Sequence, residues 1–257
     1  MFKSKFLIYF LLLVYVVVVI YFRLIEPYEG IIFPLDLSYL IAPIIAVLAV
    51  IYAMSKTKGK PNHSFVMVAG VGTMFWFLGE ISWTTYELVT RNIPFPSIAD
   101  FFFLAAYPLW LYAVIREVRS DYLSARGKWF WPGMALLAFA WVITFYFGIL
   151  KSYDIEAPLL ENLVNVAYGL SDLMVLTIGG LLINISSASG HYVKQFSLIS
   201  LAMLLTLIAD ILYYTVFMEP YNNLVVPFRL IDLLWLSLYL LMARAFYLFA
   251  KEDTSPK

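Results

Sequence analysis

The chain contains no cysteine, only two histidines and few charged residues among its 257 positions. Without cysteine it has no disulfide, no thiolate metal ligand and no cysteine nucleophile. His63 and His191 lie between long apolar stretches, so neither a bis-histidine haem inside a membrane nor a His-rich zinc site is expected. Phosphate-binding, dinucleotide-binding and G-x-S-x-G motifs are also missing. We therefore predict a non-enzymatic protein with no metal or cofactor and no nucleic-acid partner.

Apolar residues dominate what is present. They make up 63% of the chain, charged residues make up 13%, and the mean hydropathy is +0.86. A membrane-spanning helix needs about 20 apolar residues. Eight stretches approach or exceed that length: 6–22, 35–54, 65–89, 97–115, 130–150, 162–185, 196–218 and 228–249. Lipid offers the backbone no hydrogen-bond partner, and these stretches are too long for barrel strands. The sequence therefore predicts an all-α polytopic integral membrane protein, with residues 1–257 forming one transmembrane domain in contact with the lipid bilayer.

The distribution of basic residues predicts the orientation. If the N-terminus is cytoplasmic, that side receives most of the 17 lysines and arginines. The other side receives only Arg23, Arg91, Lys151 and Arg229. Basic residues accumulate on the cytoplasmic side of membrane proteins. We therefore expect a cell-membrane protein with eight spans, both termini in the cytoplasm and a short cytoplasmic tail at 251–257.

An acid stands near the start of every second apolar stretch. These acids are Asp36, Asp100, Asp172 and Asp232. The spacing predicts one helical hairpin repeated four times. The second and fourth hairpins are the most similar, since residues 80–86 match 210–216 and residues 94–100 match 227–232. Internal similarity of this kind is typical of duplicated supersecondary units.

Three of these acids have a predicted structural role. Asp36, Asp100 and Asp232 are expected in the first turn of a helix, where a carboxylate caps free amides and favours the positive end of the helix dipole. Ser97 precedes Asp100 by three residues, which is the spacing of a capping box. Arg229 precedes Asp232 by three residues and can pair with it.

Other acids lie deep inside predicted spans. The deep acids are Glu80, Asp172 and Asp210, and the neighbouring aromatic residues are Trp83, Tyr213 and Tyr214. An ionisable group at membrane depth is costly unless it is paired, protonated or hydrated, so it is a functional candidate by default. We predict that these six residues form a polar ligand-binding pocket in the outer half. A structural network of acids with Tyr and Trp, and a site for ion or proton coupling, are the alternatives.

Two pairs of glycines have a predicted packing role. Gly70 and Gly72, and likewise Gly179 and Gly180, lie inside apolar stretches. Small residues allow the backbones of membrane helices to approach closely. We therefore interpret these glycines as helix-packing positions.

One segment resembles a known group of proteins. Ile93-Pro-Phe-Pro-Ser-Ile-Ala-Asp-Phe-Phe-Phe-Leu-Ala-Ala-Tyr-Pro108 resembles a stretch of the multi-span N-terminal sensor regions of bacterial signalling proteins. The resemblance covers residues 83–110. Such regions often precede diguanylate cyclase, phosphodiesterase or histidine kinase domains. The resemblance implies an integral membrane sensory module. Since only seven residues follow Ala250, we expect no attached output domain, so that a signal would leave through a partner protein.

These observations favour a sensory module, or one that binds a small or lipid-like ligand or another membrane protein. Two other functions stay open. A proton- or cation-coupled transporter or channel would use the same deep acids, because internal repeats and midplane acids are transporter features. A structural subunit of a membrane complex would use the acids only for packing.

Overall fold

The computed structural model describes residues 17, 39–90, 94–119, 130–150, 153–189, 192–217 and 225–252. This part of the chain is helical. Its helices are α1 (Ile41–Thr57), α2 (His63–Thr90), α3 (Ile98–Arg119), α4 (Phe130–Thr144), α5 (Leu159–Ser189), α6 (Val193–Phe217) and α7 (Val225–Lys251). A π-helical segment, Phe145–Leu150, continues α4. The predicted stretch at 6–22 and the predicted cap Asp36 lie outside the described residues.

Five of these helices are long and apolar enough to cross a bilayer: α2, α3, α5, α6 and α7. The apolar helix α1 has 17 residues, or about 25 Å at the usual rise per residue. The exterior is apolar as well, since Leu48 on α1 and Phe101 on α3 are 60% and 59% exposed. An exposed apolar surface of this kind is typical of contact with lipid or with another membrane protein. The prediction of a helical, multi-pass membrane protein in contact with the bilayer is confirmed.

Six of the helices form a closed ring. Helix α1 packs against α2 and α7, α2 packs against α3, and α3 packs against α5. Helix α6 then closes the ring between α5 and α7. Helix α4 lies outside it, against α5, where Trp141 Nε1 donates to Thr177 Oγ1 at 3.2 Å. The interior of the ring is therefore lined by α1, α2, α3, α5, α6 and α7.

Aromatic residues fill the ring at one end. Phe65, near the start of α2, packs against Phe196, near the start of α6, and against Phe249, near the end of α7, with ring centroids 5.3 and 5.5 Å away. Helices α2 and α6 therefore begin where α1 and α7 end. We call this the basic end because it carries Lys56, Lys58, Lys60, Lys194, Arg244 and Lys251. We call the opposite half the acidic half because Glu80, Asp100, Asp172, Asp210 and Asp232 lie there.

Helix packing explains two of the glycines. An added Cβ at Gly72 would lie 2.8 Å from Trp110 Cδ1 and 3.3 Å from the backbone oxygen of Ala106, both on α3. At Gly70 it would lie 2.7 Å from Val50 Cγ1 on α1. Glycine therefore lets α2 approach both of its neighbours, as predicted for these positions. A Cβ at Gly179 or Gly180 would meet α6 or α4 at ordinary van der Waals distances.

Candidate ligand-binding site

Asp172 and Asp210 meet inside the ring. Asp172 on α5 is 2% exposed, and Asp210 on α6 is partly buried. Their carboxyl groups form a side-chain hydrogen bond. An ionised carboxylate only accepts hydrogen bonds, so one of the two must carry a proton when this bond forms. Asp172 Oδ2 is buried and accepts no hydrogen bond from an N–H or hydroxyl donor within the described residues. Only the neighbouring carboxyl group or a bound donor can therefore satisfy this oxygen.

Aromatic side chains lie next to this pair. Trp235 of α7 donates from Nε1 to Asp210 Oδ1 at 2.9 Å. The ring of Tyr213 packs against the Trp235 indole with centroids 5.7 Å apart and an interplanar angle of 56°. Tyr213 also lies within electrostatic reach of Asp210, Asp100 and Asp232. Two carboxyl groups and two aromatic rings are thus brought together by α5, α6 and α7.

Glu80 belongs to a second group of polar residues. It is 8% exposed and accepts a 2.8 Å hydrogen bond at Oε1 from the hydroxyl of Tyr239 on α7. Asp232 and Glu87 lie close enough to act on Glu80 electrostatically. Glu80 and Asp210 occupy the same position along α2 and α6, counted from His63 and Val193. They bond to different partners, so the deep acids form two groups inside the ring.

Helix α7 joins the two groups. Asp232, Trp235 and Tyr239 follow one another at helical spacings of three and four residues, so they share one face of α7. The same face continues toward the basic end as Met242 and Phe246, which are fully buried. Along this one stripe the interior changes from polar to apolar.

Asp100 caps its helix and also contacts the interior. Its Oδ2 accepts hydrogen bonds from the backbone N–H of Ser97 at 2.6 Å and from the Ser97 hydroxyl at 2.8 Å. Its Oδ1 accepts a 2.7 Å bond from the hydroxyl of Tyr168 on α5. The predicted first-turn position of Asp100 and its bond to the Ser97 amide are confirmed. The carboxylate additionally links α3 to α5.

The predicted first-turn position of Asp232 is wrong. Helix α7 begins at Val225, so Asp232 lies two turns into the helix. Pro227 is the reason, because proline is tolerated in the first turn, where its missing N–H has no helical partner. The predicted span, 228–249, begins just after Pro227. The side chain of Arg229, the predicted partner of Asp232, lies outside what the structure describes.

Trp83 and Tyr214 are the remaining residues of the predicted site. Trp83 is partly buried on α2, and in the described part of the chain no hydrogen bond or ring contact joins it to the deep acids. The side chain of Tyr214 lies outside the described residues. Two residues absent from the predicted site, Trp235 and Tyr239, are the hydrogen-bond donors to its acids. A signal was present, because both lie well inside a predicted span, where a buried indole N–H or phenol needs a polar partner.

An aromatic layer closes the acidic half toward the basic end. Trp76 lies one turn below Glu80 on α2 and stacks on Trp110 of α3, with centroids 5.8 Å apart and planes at 24°. Tyr107 packs edge-on against Trp76 at 5.6 Å. All three residues are buried. This aromatic layer separates the acids from Phe65, Phe196 and Phe249 below.

Comparisons with protein-family models, with curated proteins and with solved structures find no match to this chain.

Proposed function

We propose that this chain is a non-enzymatic membrane module that binds a ligand bearing a cationic amine in its acidic half. Asp172 and Asp210 would hold the cation, with Trp235 and Tyr213 beside it. The observation that carries the proposal is the buried Asp172–Asp210 pair, in which Asp172 Oδ2 accepts from no described N–H or hydroxyl, next to two aromatic rings. Carboxylates and aromatic faces are the groups that stabilise a desolvated ammonium.

The aromatic layer favours a binding site and argues against an open channel. Trp76, Tyr107 and Trp110 are buried one turn or more from Glu80 toward the basic end, and their side chains pack in edge and stacked contacts. On the side of α2 and α3, a ligand would therefore reach the acids from the acidic half. A one-sided site agrees with the sensory role implied by the resemblance at residues 83–110, and a partner protein would transmit the bound state.

The direct test measures thermal unfolding of the purified protein with choline and ethanolamine, and with 3,3-dimethyl-1-butanol as the uncharged analogue of choline. We expect saturable stabilisation by at least one of the two amines and none by the alcohol. A ligand at 100 times its dissociation constant stabilises the folded state by about 2.7 kcal/mol. Equal shifts with the alcohol, or no shift with either amine, would remove the proposal and leave the structural-subunit role.

Proton-coupled transport is the second candidate. The hydrogen bond between Asp172 and Asp210 favours it, because such a pair holds a proton that a cation can displace. Proteoliposomes with an imposed pH gradient distinguish the two functions. A transporter would accumulate labelled choline when the gradient is applied, whereas a binding module would show only a saturable, gradient-independent signal.

We further propose that the described helices belong to a duplicated, eight-span architecture. The helix trio α1, α2 and α3 and the trio α5, α6 and α7 occupy opposite halves of the ring, and each runs in the same order. Glu80 and Asp210 occupy matching positions on α2 and α6. An experimental structure in which the two trios fail to superpose with these acids aligned would contradict the duplication.

We propose that the basic end is cytoplasmic, together with both termini. The native chain has no cysteine, so single introduced cysteines can be labelled without background. We expect Ser55→Cys, at the basic end, to react with an impermeant maleimide only after permeabilisation. Ile155→Cys, 90% exposed before α5, should react in intact cells. The reverse pattern would invert the orientation.

A further inference from the structure

The basic end carries a patch of tyrosines and cations on the outer surface of α1 and α7. Tyr52 of α1 and Tyr247 of α7 stack with centroids 6.1 Å apart and planes at 22°. Each ring remains 38% exposed. The pair therefore lies on the outside of the bundle, away from the acids of the proposed ligand site.

Three cations surround the stacked rings. Lys56 Nζ lies 5.9 Å from the Tyr52 centroid, while Arg244 Cζ and Lys251 Nζ lie 5.6 and 5.3 Å from the Tyr247 centroid. All three side chains are exposed. We call these five residues the basic tyrosine patch. The rings hold the cations in place by cation–π contacts. Lys251 also forms a side-chain hydrogen bond with Tyr247, and its remaining N–H donors face the outside of the bundle with those of Lys56 and Arg244.

Among the described residues, Glu252, which follows Lys251, interacts with other parts of the chain and not with the basic tyrosine patch. The Glu252 carboxylate accepts a hydrogen bond from the Gln195 side chain of α6, and Lys60 Nζ donates to the backbone oxygen of Glu252 at 2.9 Å. Glu252 is therefore directed toward α6. The helix dipole explains the presence of two of the three cations. Lys56 and Lys251 lie in the last turns of their helices, where a positive charge is favoured. The dipole does not account for Arg244, which lies about two turns before the end of α7.

The surface that adjoins the patch is apolar. Leu48 and Ile45 precede Tyr52 at helical spacings on the same face of α1 and are 60% and 37% exposed. An apolar stripe thus runs from the patch toward the centre of the bilayer. A molecule with a negative head and long apolar chains matches both surfaces at once.

We propose that the basic tyrosine patch binds the headgroup of an anionic phospholipid, with an acyl chain along Leu48 and Ile45. Arg244 and the two lysines donate to the phosphate oxygens, and Tyr52 and Tyr247 lie at headgroup level. Basic sites between membrane helices recognise such headgroups, and interfacial tyrosines are found at the same depth. This site would be independent of the amine site in the acidic half.

The test compares phosphatidylglycerol with phosphatidylcholine in the purified full-length protein. Native mass spectrometry counts bound lipids, and thermal unfolding measures lipid-dependent stabilisation. We expect selective retention of phosphatidylglycerol by the wild type. The variant K56Q/R244Q/K251Q should bind it about tenfold more weakly, a loss of about 1.4 kcal/mol, and should keep its affinity for phosphatidylcholine. Added salt should weaken the wild-type preference.

The matched control is K58Q/R116Q/K194Q, which removes the same charges from exposed side chains elsewhere on the bundle. It should retain phosphatidylglycerol as the wild type does. Equal losses in both variants would mean that only diffuse charge attracts the lipid, and unchanged binding in K56Q/R244Q/K251Q would also overturn the site. If that triple variant does not fold, R244Q alone provides the same comparison.

Discussion

Replacing both members of the central acid pair, D172N/D210N, should strongly weaken the binding of an amine while the protein stays folded. Asparagine keeps the oxygen that accepts from Trp235 Nε1, and its amide group can donate across the pair, so the hydrogen bonds of the fold survive. The two substitutions remove the negative charge of the Asp172–Asp210 pair. For ethanolamine, whose ammonium donates hydrogen bonds, a hydrogen bond to a charged group contributes about 1.5–3 kcal/mol, which corresponds to a loss of affinity of roughly 10- to 100-fold. Ethanolamine titrations followed by thermal unfolding measure the change.

The control variant for this prediction is E80Q/E87Q. It also neutralises two acids, both on α2, and it leaves Asp172, Asp210 and the Asp232 that acts on Tyr213 intact. Its amine affinity should stay within about threefold of the wild type. An equal loss in both variants would mean that the total charge of the acidic half attracts the amine. Wild-type affinity in D172N/D210N would rule out the pair as the binding site.

The pH dependence gives the same prediction a second readout. The pair holds a proton in its hydrogen-bonded state, and an ammonium bound between the two carboxyl groups would take the place of that proton. Binding then releases a proton, so the wild-type affinity for the amine should rise with pH. The double variant has no such proton and should show no rise. A wild-type affinity that is constant between pH 5 and pH 8 would contradict proton displacement.

The helices were largely predictable from the sequence, because an apolar stretch in lipid must satisfy its own backbone hydrogen bonds and does so as a helix. The predicted stretch 65–89 became α2, His63–Thr90, and the stretch 228–249 became α7, Val225–Lys251. The error at Asp232 came from a local rule, the position of Pro227, and not from the apolar pattern. The π-helical segment Phe145–Leu150 was not predicted from the sequence.

The site was predictable only in part. The cost of burying Glu80, Asp172 and Asp210 identified them without any structure. Their partners could not be derived, because these helices are apolar on every face and the lipid is as apolar as the core. The sequence pattern therefore does not reveal how each helix is rotated or which helix is its neighbour. Trp235 reaches Asp210 only because α6 and α7 are adjacent with these faces together.

Replacing Gly72 with alanine should destabilise the protein more than the same replacement at Gly179, another helical glycine. The added methyl group would lie 2.8 Å from Trp110 Cδ1 and 3.3 Å from the backbone oxygen of Ala106. Trp110 is fully buried and stacked on Trp76, so it cannot swing away, and the Ala106 oxygen moves only with α3. Overpacking of this kind costs about 1–3 kcal/mol. The midpoint of thermal unfolding should fall by several degrees, and Gly72→Val should lower it further.

Gly179→Ala is the matched control, because it makes the same chemical change inside a long helix. Its added methyl would lie 3.7 Å from the backbone oxygen of Ser200, an ordinary contact. Alanine is the better helix former by about 1 kcal/mol, so this variant should be as stable as the wild type or slightly more stable. If Gly72→Ala and Gly179→Ala unfold at the same temperature, the close approach of α2 to α3 is not what Gly72 provides. If only Gly72→Ala is destabilised, the close packing of α2 against Trp110 and Ala106 of α3 requires the absence of a side chain at Gly72.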